Sequence, residues 1–402
     1  MSATAEVARR NLLVTVAMVF AVFTGFAFVL PFLPLYVAEL GVRDPGAAAS
    51  WAGLLIGVGP LLAGLLAPVW GRLADRHGHK GIAATALVSY VVILALSAAV
   101  IRVEQLLALR IGVGLFGGIG PLGLAMATAH APREDTGHAV GLIQAAQILA
   151  AAVGPLAGGL LADAIGIRRT FLFTAALCAL ALLLVLVFYR EERDQAPRAA
   201  AASAPFASVI AAPGVPALLL VLFLVNFIGR SFTPILPLQL AELGLPRERL
   251  ASATGILISA YSVAAAASAT ALGRLSRQRS PHGLLVATLV GGAAAVLPMA
   301  LVARFEPFLA LAILLGLVSG GSLTLCYTIG GLMAPPQLRT TAFGFFSGAA
   351  LFGGALSPSI AGLVAHLSLR GIYWVDTAIY LALAAALLSG RTLRPEVARV
   401  AA

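Results

Sequence analysis

Charge is what this sequence lacks most. Asp, Glu, Lys and Arg make up 10% of its 402 residues, against about 25% in a soluble domain. Apolar residues make up 60%, where soluble domains carry about 45–50%. So few charges could not cover the surface of a soluble core this large, and the natural solvent for most of the chain is lipid. Cysteine is nearly absent as well. Cys178 and Cys326 lie deep in separate apolar segments; they read as packing residues and say nothing about compartment. Gly-x-Ser-x-Gly, His-Glu-x-x-His, any Cys/His grouping and the ATP-binding P-loop are all missing. No hydrolase, metal centre, cofactor site or ATP-driven pump is therefore expected. The net charge is +10, but a nucleic-acid partner would need a folded, basic soluble face, and no segment could build one.

What is present is long and apolar. A helix needs about 20 apolar residues to cross a bilayer, and such stretches occur at 11–38, 51–70, 81–101, 104–126, 139–162, 170–189, 215–240, 252–272, 283–303, 306–333, 341–365 and 372–389. None alternates with period two, which argues against a membrane β-barrel. The expected fold is all-α, with twelve transmembrane helices. One connection is long: "REERDQAPRAAAASAPFAS" (190–208) mixes charge, proline and small residues in the manner of a linker. The expected organisation is a six-helix bundle at 1–189, a cytoplasmic linker at 190–212 and a second bundle at 213–402. With the N-terminus inside, the tails and even-numbered loops hold sixteen Lys and Arg, and the opposite side eight. Positive charge in short loops favours the cytoplasm, so both termini are expected inside. Arg9 and Arg10 before an apolar run could suggest a cleaved signal, but a copy of this helix recurs in mid-chain.

The copy is explicit. "PFLPLYVAELG" (31–41) returns as "PILPLQLAELG" (234–244), identical at eight of eleven positions. "GRLADRHGHKG" (71–81) aligns with "GRLSRQRSPHG" (273–283), and "AVGPLAGGL" in helix five with "ALSPSIAGL" in helix eleven. Three landmarks in one order and nearly one register mean that the second half duplicates the first. Two parallel six-helix halves are a recurring transporter architecture.

"GRLADRHGHK" resembles the cytoplasmic loop signature of the major facilitator superfamily, with His79 where an arginine is usual. "LLALRIGVGLFGG" (106–118) resembles that superfamily's fourth-helix motif, with Arg110 as its arginine. "AVGPLAGG" (152–159) resembles the fifth-helix motif of twelve-helix drug/proton antiporters, and "LPFLPLYVAELG" the first-helix end of MdtG-like multidrug exporters. The resemblance implies the major facilitator fold and, for Gly71, Asp75, Arg76, Gly78 and Lys80, a gating latch. Physically, the glycines would permit a tight turn and close helix approach, and Asp75 could sit at a helix N-terminus. The family's acidic partner at the end of helix four has no match here; Glu134 and Asp135 come only in the next loop. Asp75 corresponds to Arg277 in the second copy, which predicts an asymmetric latch. Gly154, Pro155, Gly158 and Gly159 are expected to bend helix five and admit a close neighbour. The small-residue run 263–273 of helix eight is the expected partner.

Charges within the membrane are functional by default. Arg110 and Arg230 fall inside helices four and seven. Asn226, Gln144, Gln147, Tyr261 and Tyr327 could join them in binding substrate. None of the sixteen acidic residues falls in the middle of a helix; Glu39, Glu242, Asp163 and Asp376 lie near helix ends. The central field should therefore favour anionic, zwitterionic or neutral cargo, with Glu39 and Asp163 as candidate proton carriers. The expected protein is a monomeric secondary active transporter in a plasma membrane, a bacterial inner membrane by its resemblance. It would rock two halves about a central site and export small molecules in exchange for protons. Uptake of nutrients or metabolites on the same fold stays open, as does a non-transporting receptor or lipid-handling protein.

Overall fold

The computed structural model describes residues 3–129, 136–191, 214–333 and 339–389, and all regular structure among them is helical. Eleven helices are long and apolar enough to cross a membrane, and a bent pair brings the total to twelve. Helix one comprises Ala3–Val29, a 3₁₀ turn Leu30–Phe32 and Leu33–Glu39. Helices two and three are Pro45–His77 and His79–Ser97. Helix four is broken into Val103–Leu115 and Ile119–Ala129, and helices five and six are Thr136–Ile165 and Ile167–Phe188. Helix seven is the bent pair, Val215–Ser231 and Leu236–Glu242, at 45°. Helices eight and nine are Leu250–Leu275 and Pro281–Met299. Helix ten is broken into Phe305–Ser319 and Ser322–Met333, and helices eleven and twelve are Arg339–Leu367 and Gly371–Leu388. Their surfaces are apolar: Leu172, Leu180, Leu183 and Val187 of helix six are each about half exposed, as a lipid-facing stripe must be.

The repeated phrase is a break and a stop. Proline has no N–H and cannot continue the helical ladder. Pro31 accordingly lies within the 3₁₀ turn of helix one and Pro34 just after it, and Pro234 lies within the bend of helix seven and Pro237 just after it. Each copy then ends on a left-handed glycine, Gly41 at φ 102° and Gly244 at φ 83°. Beyond it, Val42 N–H donates to the Val37 carbonyl at 3.3 Å, and Leu245 N–H to the Leu240 carbonyl at 3.2 Å. These bonds terminate the helix in the same way twice.

The chain forms two compact units. The first contains Met1–Asp44, Leu54–Arg198 and Pro246–Ser259; the second contains Pro45–Gly53, Ala199–Leu245 and Ala260–Ala402. Close backbone approach organises both. In the first unit, a Cβ on Gly114 would stand 2.7 Å from Leu62 Cβ, and one on Gly117 2.7 Å from Ala63 Cβ. Gly159 lies against the Ala251 carbonyl, and Gly255 against that of Pro155. In the second unit, Gly316 and Gly320 meet Ala264 and Ala265, Gly362 meets Ala49, and Gly53 meets the Pro358 carbonyl.

Two expectations change here. Helix five does meet helix eight, but at Ala251, Ser252, Gly255 and Ser259. The run 263–273 contributes instead to the contact with helix ten, through Ala264, Ala265 and Leu272. The signature at 71–80 is also not a loop throughout. Helix two continues to His77, and only Gly78, at φ 91°, turns the chain.

Candidate functional site

The second unit contains a cavity of about 120 Å³ within its membrane-spanning helices, its wall mostly apolar but carrying several polar side chains. Asn226 and Gly229 of helix seven, Tyr261 of helix eight, Ser319 of helix ten and Tyr380 of helix twelve line it. Gly229 and Arg230 are exposed, although they sit in a helix made mostly of leucine, valine and phenylalanine. Arg230 stays beside Asn226 because both side chains lie over Gly354 of helix eleven. A Cβ there would stand 3.0 Å from Asn226 Oδ1 and 3.5 Å from Arg230 Cγ. Tyr261 is within electrostatic reach of Arg230, and Tyr380 bonds to Ser319. Three sequence-derived candidates, Arg230, Asn226 and Tyr261, thus come together. Tyr327 does not join them: its ring stacks on Phe343 at 6.1 Å and 10°. Ser319 and Tyr380 were not anticipated. The signals that could have found them are the Ser-Gly-Gly break in helix ten and a tyrosine in mid-helix.

Within electrostatic reach of Tyr261 and Tyr380 lies a buried acid. Asp376 of helix twelve has no exposed surface, and Ser231 Oγ stands 2.5 Å from its Oδ2. Its place near a helix end hid this from the sequence, because burial depends on a helix 145 residues away.

Arg110 in the first unit is a different kind of cation. It is 2% exposed and lies with its Cζ 5.7 Å from the Phe171 ring centroid. Its Nε and Nη2 have no hydrogen-bond partner among the described residues. Gln144 is exposed and Gln147 half-buried on helix five of the same unit. In this helix Gly154 meets Ala27 and Gly158 meets Phe28, both of helix one, so of the four motif residues Gly159 and Pro155 are the two that touch helix eight.

At the end of helix two, Gly71 has open space around it and Arg76 is exposed. The Asp75 side chain, Glu134 and Asp135 lie outside the described residues. The acid found at this turn is Glu191, just past helix six. Its carboxylate accepts the backbone N–H of His79 at 2.5 Å and of Lys80 at 3.4 Å, where the N-terminus of helix three favours an anion. Lys80 answers by donating to the carbonyls of Leu186 and Tyr189, at 2.9 and 2.8 Å, where helix six ends. Burial first, and the Glu191 charge second, hold the Tyr189 phenol above its ordinary range. Asn11 completes the tie, donating to the Arg190 carbonyl at 2.7 Å and accepting its N–H at 3.0 Å. Sequence spacing could not reveal Glu191, which is 112 residues from His79.

The two acids expected to carry protons both stand at helix ends. Asp163 accepts the N–H groups of Ala251 and Ser252, at 3.3 and 2.8 Å, where helix eight begins. Glu39 is exposed and within electrostatic reach of Arg168. That arginine crosses the Tyr36 ring at 5.6 Å and donates to the Ala98 carbonyl at 3.2 Å.

The Major Facilitator Superfamily model matches residues 15–306 and 218–401. The chain is 32% identical over 378 residues to multidrug resistance protein MdtG of Enterobacter lignolyticus (strain SCF1), covering 93% of this chain and 90% of the relative. It is also 32% identical to MdtG of Salmonella typhi, over 93% of both. Among solved structures, a bacterial homologue of the human lysosomal transporter Spinster superposes with a TM-score of 0.75 at 18% identity, over 95% of this chain and 96% of that one. A D-xylose–proton symporter gives 0.74 at 16% identity, over 96% and 98%. Two copies of one six-helix plan, motifs at matching positions and relatives that span nearly the whole chain lead to one assignment: this multi-pass membrane protein belongs to the major facilitator superfamily.

Proposed function

We propose that the chain exports small molecules from a bacterial cell across the inner membrane, in exchange for protons, by alternating access. The carrying observation is the cavity of the second unit, which Asn226 and Tyr261 line, with the exposed Arg230 beside Asn226 over Gly354. A cation placed at membrane depth is expensive unless it serves a solute or a partner, and Arg230 is exposed rather than sealed. The export direction follows the multidrug relatives. In this reading Arg230, Asn226 and Tyr261 contact cargo, and the positive field selects anionic, zwitterionic or neutral compounds. Gln144, Gln147 and Tyr327 are assigned secondary contacts. Asp75, Arg76 and Lys80 with Gly71 and Gly78 act in gating, and both termini face the cytoplasm of a monomer.

Accumulation of fluorescent compounds in cells with and without the protein tests the direction, and proteoliposomes with and without a pH gradient test the coupling. Lower accumulation in expressing cells, abolished when the gradient is collapsed, is the expected result. Higher accumulation would mean uptake and overturn the export reading.

A further inference from the structure

Asp376 is sealed in a place that does not suit an anion. It has no exposed surface, and its Oδ1 has no hydrogen-bond partner among the described residues. Ser231 Oγ lies 2.5 Å from Asp376 Oδ2 and 2.9 Å from the Ile228 carbonyl. A hydroxyl carries one hydrogen, and a carbonyl can only accept. When Ser231 donates to Ile228, the short contact to Asp376 requires a hydrogen on the acid itself. The alternative is a fully buried carboxylate with one donor and, among the described residues, no ion pair, which is strongly unfavourable. Both considerations assign the neutral acid to this arrangement.

The neighbours support that assignment. Tyr261 of helix eight, with Tyr373 and Tyr380 one turn to either side on helix twelve, lies within electrostatic reach of Asp376. Arg370 and Glu242 act on Tyr373, nearer the start of helix twelve. Helix nine presents Gly292 beneath the Tyr380 ring, and helix ten presents Phe308 to Tyr373 and Ser319 to Tyr380. The titratable residues of helices nine and eleven, His282, Arg339 and His366, stand at helix ends. Arg230 precedes Ser231 but points about 100° away around helix seven, along Gly354.

We propose that Asp376 is the proton carrier of the transport cycle, neutral while sealed against Ser231 and deprotonated when water reaches it past Tyr261 and Tyr380. When the site opens to one side, the O–H bond of the acid breaks and the proton passes to water as hydronium, leaving a carboxylate; when it opens to the other side, hydronium there returns a proton, and the neutral acid is sealed again. The route is the neighbouring cavity, whose lining includes both tyrosines and whose 120 Å³ would hold about four waters. Ser231 serves both states, accepting from the acid and donating to the carboxylate. The proposal rests on the proton-coupled reading above and names the residue that performs it.

The test uses the full-length protein. Infrared difference spectra across a pH titration are expected to show a protonated carboxyl band that Asp376→Asn lacks and Asp376→Glu retains at a shifted frequency. Identical spectra in wild type and Asp376→Asn overturn the proposal. Proteoliposomes are then loaded with ethidium or sulforhodamine, and trapped pyranine reports proton flux. Asp376→Asn is expected to lose at least about tenfold of gradient-driven dye and proton movement, with Asp376→Glu recovering part of it. A gradient-dependent wild type matched by an equally gradient-dependent Asp376→Asn removes only the Asp376 assignment. A wild type whose gradient drives neither dye nor proton movement removes the proton-coupled reading itself, and the proposal with it.

Discussion

Arg168 donates to the Ala98 carbonyl at 3.2 Å, and 202 residues later Arg370 donates to the Ala300 carbonyl at the same distance. Glu39 and Glu242 accompany these arginines in the two copies. The glycine joints recur at the same spacing: Gly255 on the Pro155 carbonyl, and Gly53 on that of Pro358. The interiors between these joints have diverged. The first unit buries Arg110 over Phe171, whereas the equivalent positions in the second are Ala312 and Tyr373. Thr174 bonds to the Gly25 carbonyl, and its counterpart is Asp376. Even the aromatic filling has changed sides. Tyr90 faces Cys178 in the first unit, while Gly292 faces the Tyr380 ring in the second. Moving the ring to helix twelve conserves volume and brings a hydroxyl to Ser319 and the cavity. A joint made by backbone against backbone admits only glycine, so it persists. A side-chain interior needs only filled volume, and is free to acquire chemistry.

The comparison can be broken most forcefully at the joints. Gly159→Leu and its counterpart Gly362→Leu each force a side chain into a backbone, at about 1–3 kcal/mol, the upper end being expected where backbone cannot give way. Both are expected to lose most folded, monodisperse protein by size exclusion, or to transport with a leak of the driving ion. If one half tolerates leucine with tight coupling, the joints are not equivalent.

The two intramembrane arginines come next. Arg230→Ala is expected to weaken binding of anionic compounds by about ten- to a hundredfold, the loss of a charged hydrogen bond worth about 1.5–3 kcal/mol, while neutral compounds change little. Arg110→Met, which replaces an unsatisfied buried charge with apolar volume, is expected to preserve or raise thermal stability. Direct binding and melting of purified protein decide both. Good binding of cationic dyes, indifferent to Arg230→Ala, would end the idea of a positive site.

Asp75→Asn is expected to reduce transport on the order of tenfold, a change of about 1.4 kcal/mol in a barrier, in a protein that still inserts and folds. Arg277→Ala, at the matching position, is expected to do little. Equal rates at equal expression in both variants would show that the first copy holds no latch.

The smallest effects belong to the paired glutamates. Arg370 Nε and Glu242 Oε2 are 3.9 Å apart, with side chains 36% and 45% exposed, and such pairs contribute about 0.2–1 kcal/mol. Glu39→Gln and Glu242→Gln should therefore lower the melting temperature slightly and alike. A selective loss of proton coupling in Glu39→Gln would instead make Glu39 the carrier and separate the copies.

Much of this was legible from the chain alone. Scarce charge and long apolar runs required a membrane and twelve crossings, because lipid tolerates little else. The prolines and glycines of the repeated phrase dictated where helices one and seven break and stop, since these residues act on their own backbone. The duplicated landmarks established the two-copy plan. Local covalent geometry and transfer energy settle such matters, and neither needs a distant partner.

The site was less legible, because its meaning lies in contacts between segments far apart in sequence. Adjacent glycines on a helix point about 100° apart, so Gly158 meets helix one and Gly159 meets helix eight; no pattern in the sequence distinguishes them. Asp163 reads as a free acid at a helix end until the N–H groups of Ala251 and Ser252 are found on it. Asp376 reads as an end-of-helix residue until Ser231 seals it. Composition determined the solvent and the helices of this protein, but only tertiary packing decided which of its few charges are paired, exposed or buried. Desolvation and hydrogen bonding are properties of a place in the fold, not of a residue type.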